Sequence, residues 1–389
     1  MFRAFQEFLA TWRQLQAFQS SPESKRQLVV YSEGSQDWPH LGPILESYLK
    51  QDEKAELSYL SSGSNDPGLQ FVHPRFHAYF IGSGTTRTIF FKGLQARVCL
   101  MSLPDLDVFE LKRSAYGVHY VYAFHSINSS HTVYRDRAFE HFDTLFCVGP
   151  HHVDELRREE VLKNLKPRRL LEHGSVKLDT VVAQYSGSKA PDANETPFIL
   201  LAPSWGECSF AEDGALVRAM IQQVLAQGWI CSLRFHPMTL RHHPKLIESL
   251  QLEFGAQKNF FLETDLNNNE SFRRAHLMVS DWSGAATEFS FALGKPVLFI
   301  DTPQKINNPD WQAFDRPALE RIIRTEIGSV IEPGQISDFA NSIQKLLGSG
   351  TDFRRVTEEA RSRWIFNVGR AAEAGATHLH SILSMEARN

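Results

Sequence analysis

The segment SDWSGAATEFSFALGKPVLFID, Ser280 to Asp301, holds the densest set of groups suited to chemistry. An apolar run ends in Ser280-Asp281, turns through Trp282, Ser283 and Gly284, and enters a helical pattern carrying Thr287 and Glu288. A second apolar run follows Lys295-Pro296. Free backbone N–H groups at a helix start, two hydroxyls and roughly half a unit of positive charge from the helix dipole suit a pyrophosphate. Glu288, a turn and a half further on, is placed to reach a ribose diol, whose hydroxyl protons a carboxylate accepts. An ordinary Ser/Asp-capped turn between strand and helix has the same local pattern, so this segment alone leaves both readings open.

A second group is RFHPMT, Arg234 to Thr239. Side chains two apart on a strand share a face, so Arg234 and His236 should point the same way where Pro237 stops the strand. An Arg and a His together hold a phosphate and offset charge on a leaving group. A third group is AFHSINSSHTVYR, where His125 ends the apolar run VHYVYAF and is followed by Ser126, Ser129, Ser130 and His131. A neutral imidazole there would take a proton from an attacking hydroxyl. The chain has 16 histidines, so position rather than residue type singles out His125. Asp105-Leu-Asp107 matches a metal-binding DxD, but three-residue matches are common by chance, and this one is set aside. No phosphate loop, nucleophile elbow or HExxH is present.

These groups need strand ends to hold them, and the chain supplies strands in series. Apolar runs at 27–33, 56–62, 77–82, 97–102, 118–126, 144–149 and 168–175 read as buried strands, with helical patterns such as Pro39–Lys50 and His151–Lys163 between them. The polar stretch 184–197 reads as a linker. A second series follows at 198–205, 230–237, 260–265, 277–283 and 296–301. It includes a helix whose Leu216, Val217, Met220, Ile221, Val224 and Leu225 form one apolar stripe. Strands separated by helices imply parallel sheets covered on both faces, with ligands at the carboxyl ends of the strands. Two such units are expected to face each other across a cleft: an N-terminal helix at 1–20, a first Rossmann-like domain at 21–183 and a second at 198–389.

The 389 residues are enough for two domains with buried cores. Lys+Arg 41 against Asp+Glu 45 gives a net charge of -4, which argues against a nucleic-acid partner. No apolar run reaches the ~20 residues of a spanning helix. The opening MFRAFQEFLATW has neither a long apolar core nor a small-residue cleavage site, so a cytoplasmic location is expected. The stripe Phe2, Phe5, Phe8, Leu9, Trp12, Leu15 and Phe18 suits packing on the protein's own surface, with peripheral membrane contact through Met1–Ser20 as the lesser alternative. Cys99, Cys147, Cys208 and Cys231 sit singly in apolar stretches and read as buried reduced thiols.

Taken together, the three groups resemble the CDP-glycerol glycerophosphotransferase family, which builds teichoic-acid-like polymers. That family's second domain carries an Arg-x-His-Pro strand end, matched here by Arg234, His236 and Pro237. Its Thr/Ser-Asp-Tyr-Ser-Ser turn ahead of Lys-Pro-x-x-x-Phe is matched by Ser280, Asp281, Trp282 and Ser283, then Lys295, Pro296 and Phe299. APSWGE (202–207) is similar to the opening of the family's second domain, and HGSVKLD (173–179) to the close of its first. The resemblance runs from about Val118 to Phe299. Departures are His125-Ser126 for a His-Gly pair, Trp282 for Tyr, and Gly284 for the second Ser. Gly284 makes the turn equally similar to the Ser-Gly-Gly-x-x-Glu turn of UDP-sugar epimerases and related GT-B enzymes.

The resemblance implies a GT-B fold in which a final helix near Gly369–Ala387 crosses back to the first domain. It implies transfer of glycerol phosphate, or another polyol phosphate, from CDP-glycerol to a hydroxyl of a cell-envelope glycan or lipid-linked acceptor, with release of CMP. Arg234, Ser280, Asp281, Ser283, Gly284, Thr287 and Glu288 would bind the donor, His236 would contact the phosphate, and His125 would activate the acceptor. Neither metal nor cofactor is implied, because the helix terminus and Arg234 supply the positive field. The alternatives are a GT-B glycosyltransferase using a nucleotide sugar, an epimerase that needs no acceptor, and a non-catalytic envelope-assembly scaffold.

Overall fold

Runs such as Leu28–Ser32 (β1) and Leu57–Ser61 (β2) bury all five of their residues, as a strand covered on both faces must. Five more strands complete the first sheet: Phe76–Phe80 (β3), Val98–Met101 (β4), His119–Ala123 (β5), Thr144–Cys147 (β6) and Arg169–Glu172 (β7). All pair in parallel, in the order β3-β2-β1-β4-β5-β6-β7. The second sheet holds Phe198–Leu201 (β8), Ile230–Arg234 (β9), Phe260–Glu263 (β10), Leu277–Ser280 (β11), Val297–Ile300 (β12) and Gly328–Ile331 (β13). Its order is β10-β9-β8-β11-β12-β13, again wholly parallel. The strand order reverses between β1 and β4 and between β8 and β11, and such switch points are where open parallel sheets take ligands.

The computed structural model describes residues 2–109, 111–185, 195–264 and 270–386, so most of the linker expected at 184–197 lies outside the described residues. The chain forms two compact units: Met1–Asp179 with Asn307–Asp315 and Trp364–Asn389, and Thr180–Ile306 with Arg316–Arg363. In the first, Ile44 and Leu45 of the helix Trp38–Gln51 share a core with Ala371, Ala376, Leu379 and Ile382 of the helix Ala371–Glu386. Glycines let the returning chain dock. A Cβ on Gly149 would lie 1.8 Å from the Trp364 carbonyl oxygen, and one on Gly174 2.3 Å from that of Phe366. The Asp179 carboxylate then accepts from the backbone N–H of Gly369 and Ala371, so the HGSVKLD segment serves as the dock.

Leu15 and Phe18 of the first helix, Phe2–Gln19, are buried, with Phe18 against Tyr79 of β3 and Phe90. That half of the apolar stripe is used on the unit's own surface; the side chains of Phe2 and Phe5 lie outside the described residues. No helix among the described residues is long and apolar enough to cross a membrane. In the second unit the stripe Val217, Met220, Ile221 and Val224 is buried, with Leu216 and Leu225 at its margins. Strand β13 is an addition to the strands read from sequence. It is an edge strand whose Gly-Ser start and half-buried residues carry no sustained apolar run.

Candidate active site

In the second unit the residues singled out in the sequence lie at and just beyond the ends of β9 and β11, and the loops after β8 and β12 meet those beyond β11. Ser280 donates to the Ala202 carbonyl at 2.7 Å, and the Asp281 carboxylate accepts the N–H of Ser204 at 2.9 Å and of Phe210 at 3.2 Å. Both side chains are buried, and both bind the β8 loop across the switch point. Burial pushes the Asp281 carboxyl up, against the pull of its Ser204 and Phe210 donors. Trp282 similarly ties in the β12 loop: its indole N–H donates to the Thr302 carbonyl at 2.7 Å, and Arg324 lies 4.0 Å over its ring while pairing with Asp301 at 2.8 Å. Ser280, Asp281 and Trp282 therefore hold the loops in place.

Ser283 caps the helix Gly284–Leu293, its hydroxyl accepting from the Ala285 N–H at 3.3 Å. Gly284 and Glu288 are half-buried one turn apart on that helix, whereas Thr287 is buried. Ser283, Gly284 and Glu288 thus keep part of their surface open, as do Trp282 and Ala285.

Arg234 and His236 have different neighbours, despite their spacing. The Arg234 guanidinium pairs with Glu263 at 2.8 Å and lies over Phe272, and the same carboxylate also accepts from Ser232 and Ser271. His236, beyond the end of β9, caps the helix Pro237–His242, with its Nδ1 accepting the Met238 N–H at 3.1 Å. That acceptance puts the proton of the neutral ring on Nε2, making His236 a hydrogen-bond donor rather than a base. Burial first, then the nearby Lys305, lower its pKa. Its ring stacks on Trp205 of the β8 loop at 5.7 Å.

In the first unit His125 follows β5 and is half-buried. Its loop is staked to the helix Pro150–Leu162. His151 donates to the Ile127 carbonyl at 2.8 Å and His152 to that of Asn128 at 2.9 Å. Glu155 accepts from both the N–H and the hydroxyl of Ser130 and pairs with His131 at 3.2 Å. Burial opposes the charge on Glu155, but the His131 hydrogen bond and the neighbouring imidazoles prevail and hold its carboxyl at about 2. The rings of Tyr134, at 6.2 Å, and His40, at 5.7 Å, lie against His125.

His40 was not evident from the sequence, where it is one histidine in a helix-period stretch. Its position follows from the turn after β1. Buried Asp66 accepts from Ser32, Ser61 and Tyr59, tying the ends of β1 and β2, while Asp37 accepts the Glu33 N–H at 2.7 Å ahead of the His40 turn. Burial, then His125 and Lys177, hold the His40 pKa down at about 3, so it is neutral at ordinary pH.

Neither a protein-family model nor any curated protein matches the sequence. Solved structures do. The wall teichoic acid polymerase TagF matches with a TM-score of 0.58 at 14% identity, over 97% of this chain and 95% of that one. The UDP-GlcNAc 2-epimerase of Methanocaldococcus jannaschii, in complex with UDP-GlcNAc and UDP, matches with a TM-score of 0.59 at 13% identity, over 91% and 99%. An MnaA–UDP structure from S. aureus matches with a TM-score of 0.57 at 12% identity, over 93% and 97%. At such identity the likeness is one of fold. The chain has a two-domain α/β fold of the GT-B type, built on parallel sheets of seven and six strands.

Proposed function

We propose that this protein is a GT-B transferase that moves a glycerol phosphate, or another polyol phosphate, from CDP-glycerol to a hydroxyl acceptor and releases CMP. The observation that carries this reading is the strand-end arrangement of the second unit. His236, with its donor N–H on Nε2, follows β9, and the capped turn Ser283-Gly284 with the half-buried Glu288 follows β11, with β8 between those two strands. A neutral donor of this kind suits a phosphoryl oxygen. Glu288 takes the ribose hydroxyls in this reading. In this reading the acceptor hydroxyl gives its proton to His125 as its oxygen attacks the β-phosphorus; the bond from that phosphorus to the bridging oxygen breaks, and CMP leaves with the electron pair. A hydroxyl pKa far above neutral makes both a base and a polar phosphate site useful. TagF, a teichoic acid polymerase by name, supports the reading through its fold, as does the match to a variant of it soaked with CDPG. The acceptor class is a cell-envelope glycan or lipid-linked hydroxyl, met on the cytoplasmic side where nucleotide-activated donors are available.

A second reading, a GT-B enzyme acting on a nucleotide sugar, is favoured by Gly284 in the turn and by the match to structures holding UDP or UDP-GlcNAc. A thermal-shift panel of CDP-glycerol, CDP-ribitol, CMP, UDP and UDP-GlcNAc separates the two, since a ligand bound only by the folded state raises the melting temperature. Stabilisation by CDP-glycerol and CMP, with CMP release on adding a hydroxyl acceptor, is the expected result. Stabilisation by the uridine ligands alone would replace the first reading with the second.

A further inference from the structure

Three loops of the second unit converge on one aromatic ring. Lys305, beyond the end of β12, sets its ammonium 4.0 Å from the ring of Trp205, which follows β8. Trp205 in turn stacks on His236, which follows β9, at 5.7 Å and 23°. The Trp205 side chain remains 38% exposed, so the group is open to a ligand. Among the described residues no carboxylate pairs with Lys305, whereas the guanidinium of Arg234 is matched by Glu263 at 2.8 Å. The β8 loop turns here through Gly206, at φ +93, and even a Cβ there would stand 3.8 Å from the Lys305 ammonium. An unmatched ammonium and an imidazole N–H donor on one aromatic wall are the chemistry of a phosphate subsite. The ammonium supplies a point charge, and a charge-assisted hydrogen bond is about twice as strong as a neutral one.

We propose that Lys305, with Trp205 and His236, forms the subsite for the phosphoryl group of the donor that is distal to the nucleoside, and that Lys305 rather than Arg234 brings the charge. This rests on the transferase reading above and names the cation of that same site. Because Lys305 acts on the distal phosphate, its removal changes the preference for a diphosphate over a monophosphate, which a merely structural lysine would not.

The test is isothermal titration of the full chain and its variants with CMP, CDP, UMP and UDP. In Lys305→Ala the affinity for the nucleoside diphosphate falls by about ten- to a hundredfold and that for the monophosphate by no more than a few-fold. Lys305→Arg keeps most of the diphosphate preference. Should Lys305→Ala fail to fold, Lys305→Gln, closer in shape, carries the same expectation. An unchanged diphosphate-to-monophosphate ratio, or an equal loss of both, overturns the proposal while leaving the transferase reading intact. If the unaltered protein binds none of the four nucleotides, the transferase reading fails. Inorganic pyrophosphate, titrated against the same proteins, then decides the subsite by itself: binding that is lost in Lys305→Ala supports it, and absent or unaltered binding overturns it.

Discussion

The imidazoles of His40 and His125 meet edge to face, ring centroids 5.7 Å apart at 62°, although one follows β1 and the other β5. His40 is held neutral by burial and by its neighbours, so His125 has an uncharged ring beside it.

That pairing makes the acid limb of the pH–rate profile informative. A cation at position 40 disfavours protonated His125 and lowers its pKa. The Lys variant, His40→Lys, is therefore expected to stay active at lower pH than the unaltered protein. His125→Ala should lower CMP release by roughly 10²–10⁴, the usual contribution of a general base, with CMP affinity within a few-fold. CMP release measured between pH 5 and 9, with CMP titration on the same proteins, checks both; loss of CMP binding in His125→Ala would place that residue in the donor site.

Glu288 is assigned to the ribose, so Glu288→Ala should weaken nucleotide binding itself. Losing hydrogen bonds to a charged group costs roughly 1.5–3 kcal/mol, or about ten- to a hundredfold in affinity. Titration of CMP and UMP reads this directly. An unaltered affinity would take Glu288 out of the site.

Acid should destabilise the first unit well before its carboxylates titrate. Burial is the leading cause that lowers His40, His151 and His173 to about 3 each, against about 6.5 in an unfolded chain. The folded pKa lies below the unfolded one, so the unfolded chain takes up protons first as the pH falls. Stability is complete above about 6.5 and declines down to about 3, by up to about 1.4 kcal/mol per pH unit for each group. Urea midpoints at pH 7.5, 6.5 and 5.5 should fall in that order; equal midpoints would mean these imidazoles are protonated in the fold.

Gly149→Ala should destabilise without touching the site. Its Cβ would stand 1.8 Å from the Trp364 carbonyl oxygen, which is backbone and must move. Overpacking of this kind costs about 1–3 kcal/mol, more when backbone shifts. A melting temperature several degrees lower, with nucleotide affinity kept in the folded protein, is the expected outcome. An unchanged melting temperature would show that the Trp364 segment is not seated there.

Twelve of the thirteen strands among the described residues were legible, most plainly those buried on both faces, such as Val98–Met101 and Phe198–Leu201, which read as continuous apolar runs. β13 was not, because its Gly328-Ser329 start leaves only Val330 and Ile331 as an apolar run. The positions of His125, His236 and the Ser283 turn at strand ends were legible too, since a Pro or a change of hydrophobic period marks where each strand stops. Their partners were not. Spacing on a strand placed Arg234 and His236 side by side, but Glu263 on the neighbouring β10 holds Arg234, while Trp205 beyond β8 holds His236. Lys305 and His40 gave no local signal at all. What brings Lys305 to Trp205 and His40 to His125 is the order in which strands lie side by side, and that order is decided by the packing of whole sheets and helices. A run of residues determines its own strand and where that strand ends; only the assembled sheet determines which strand ends are neighbours.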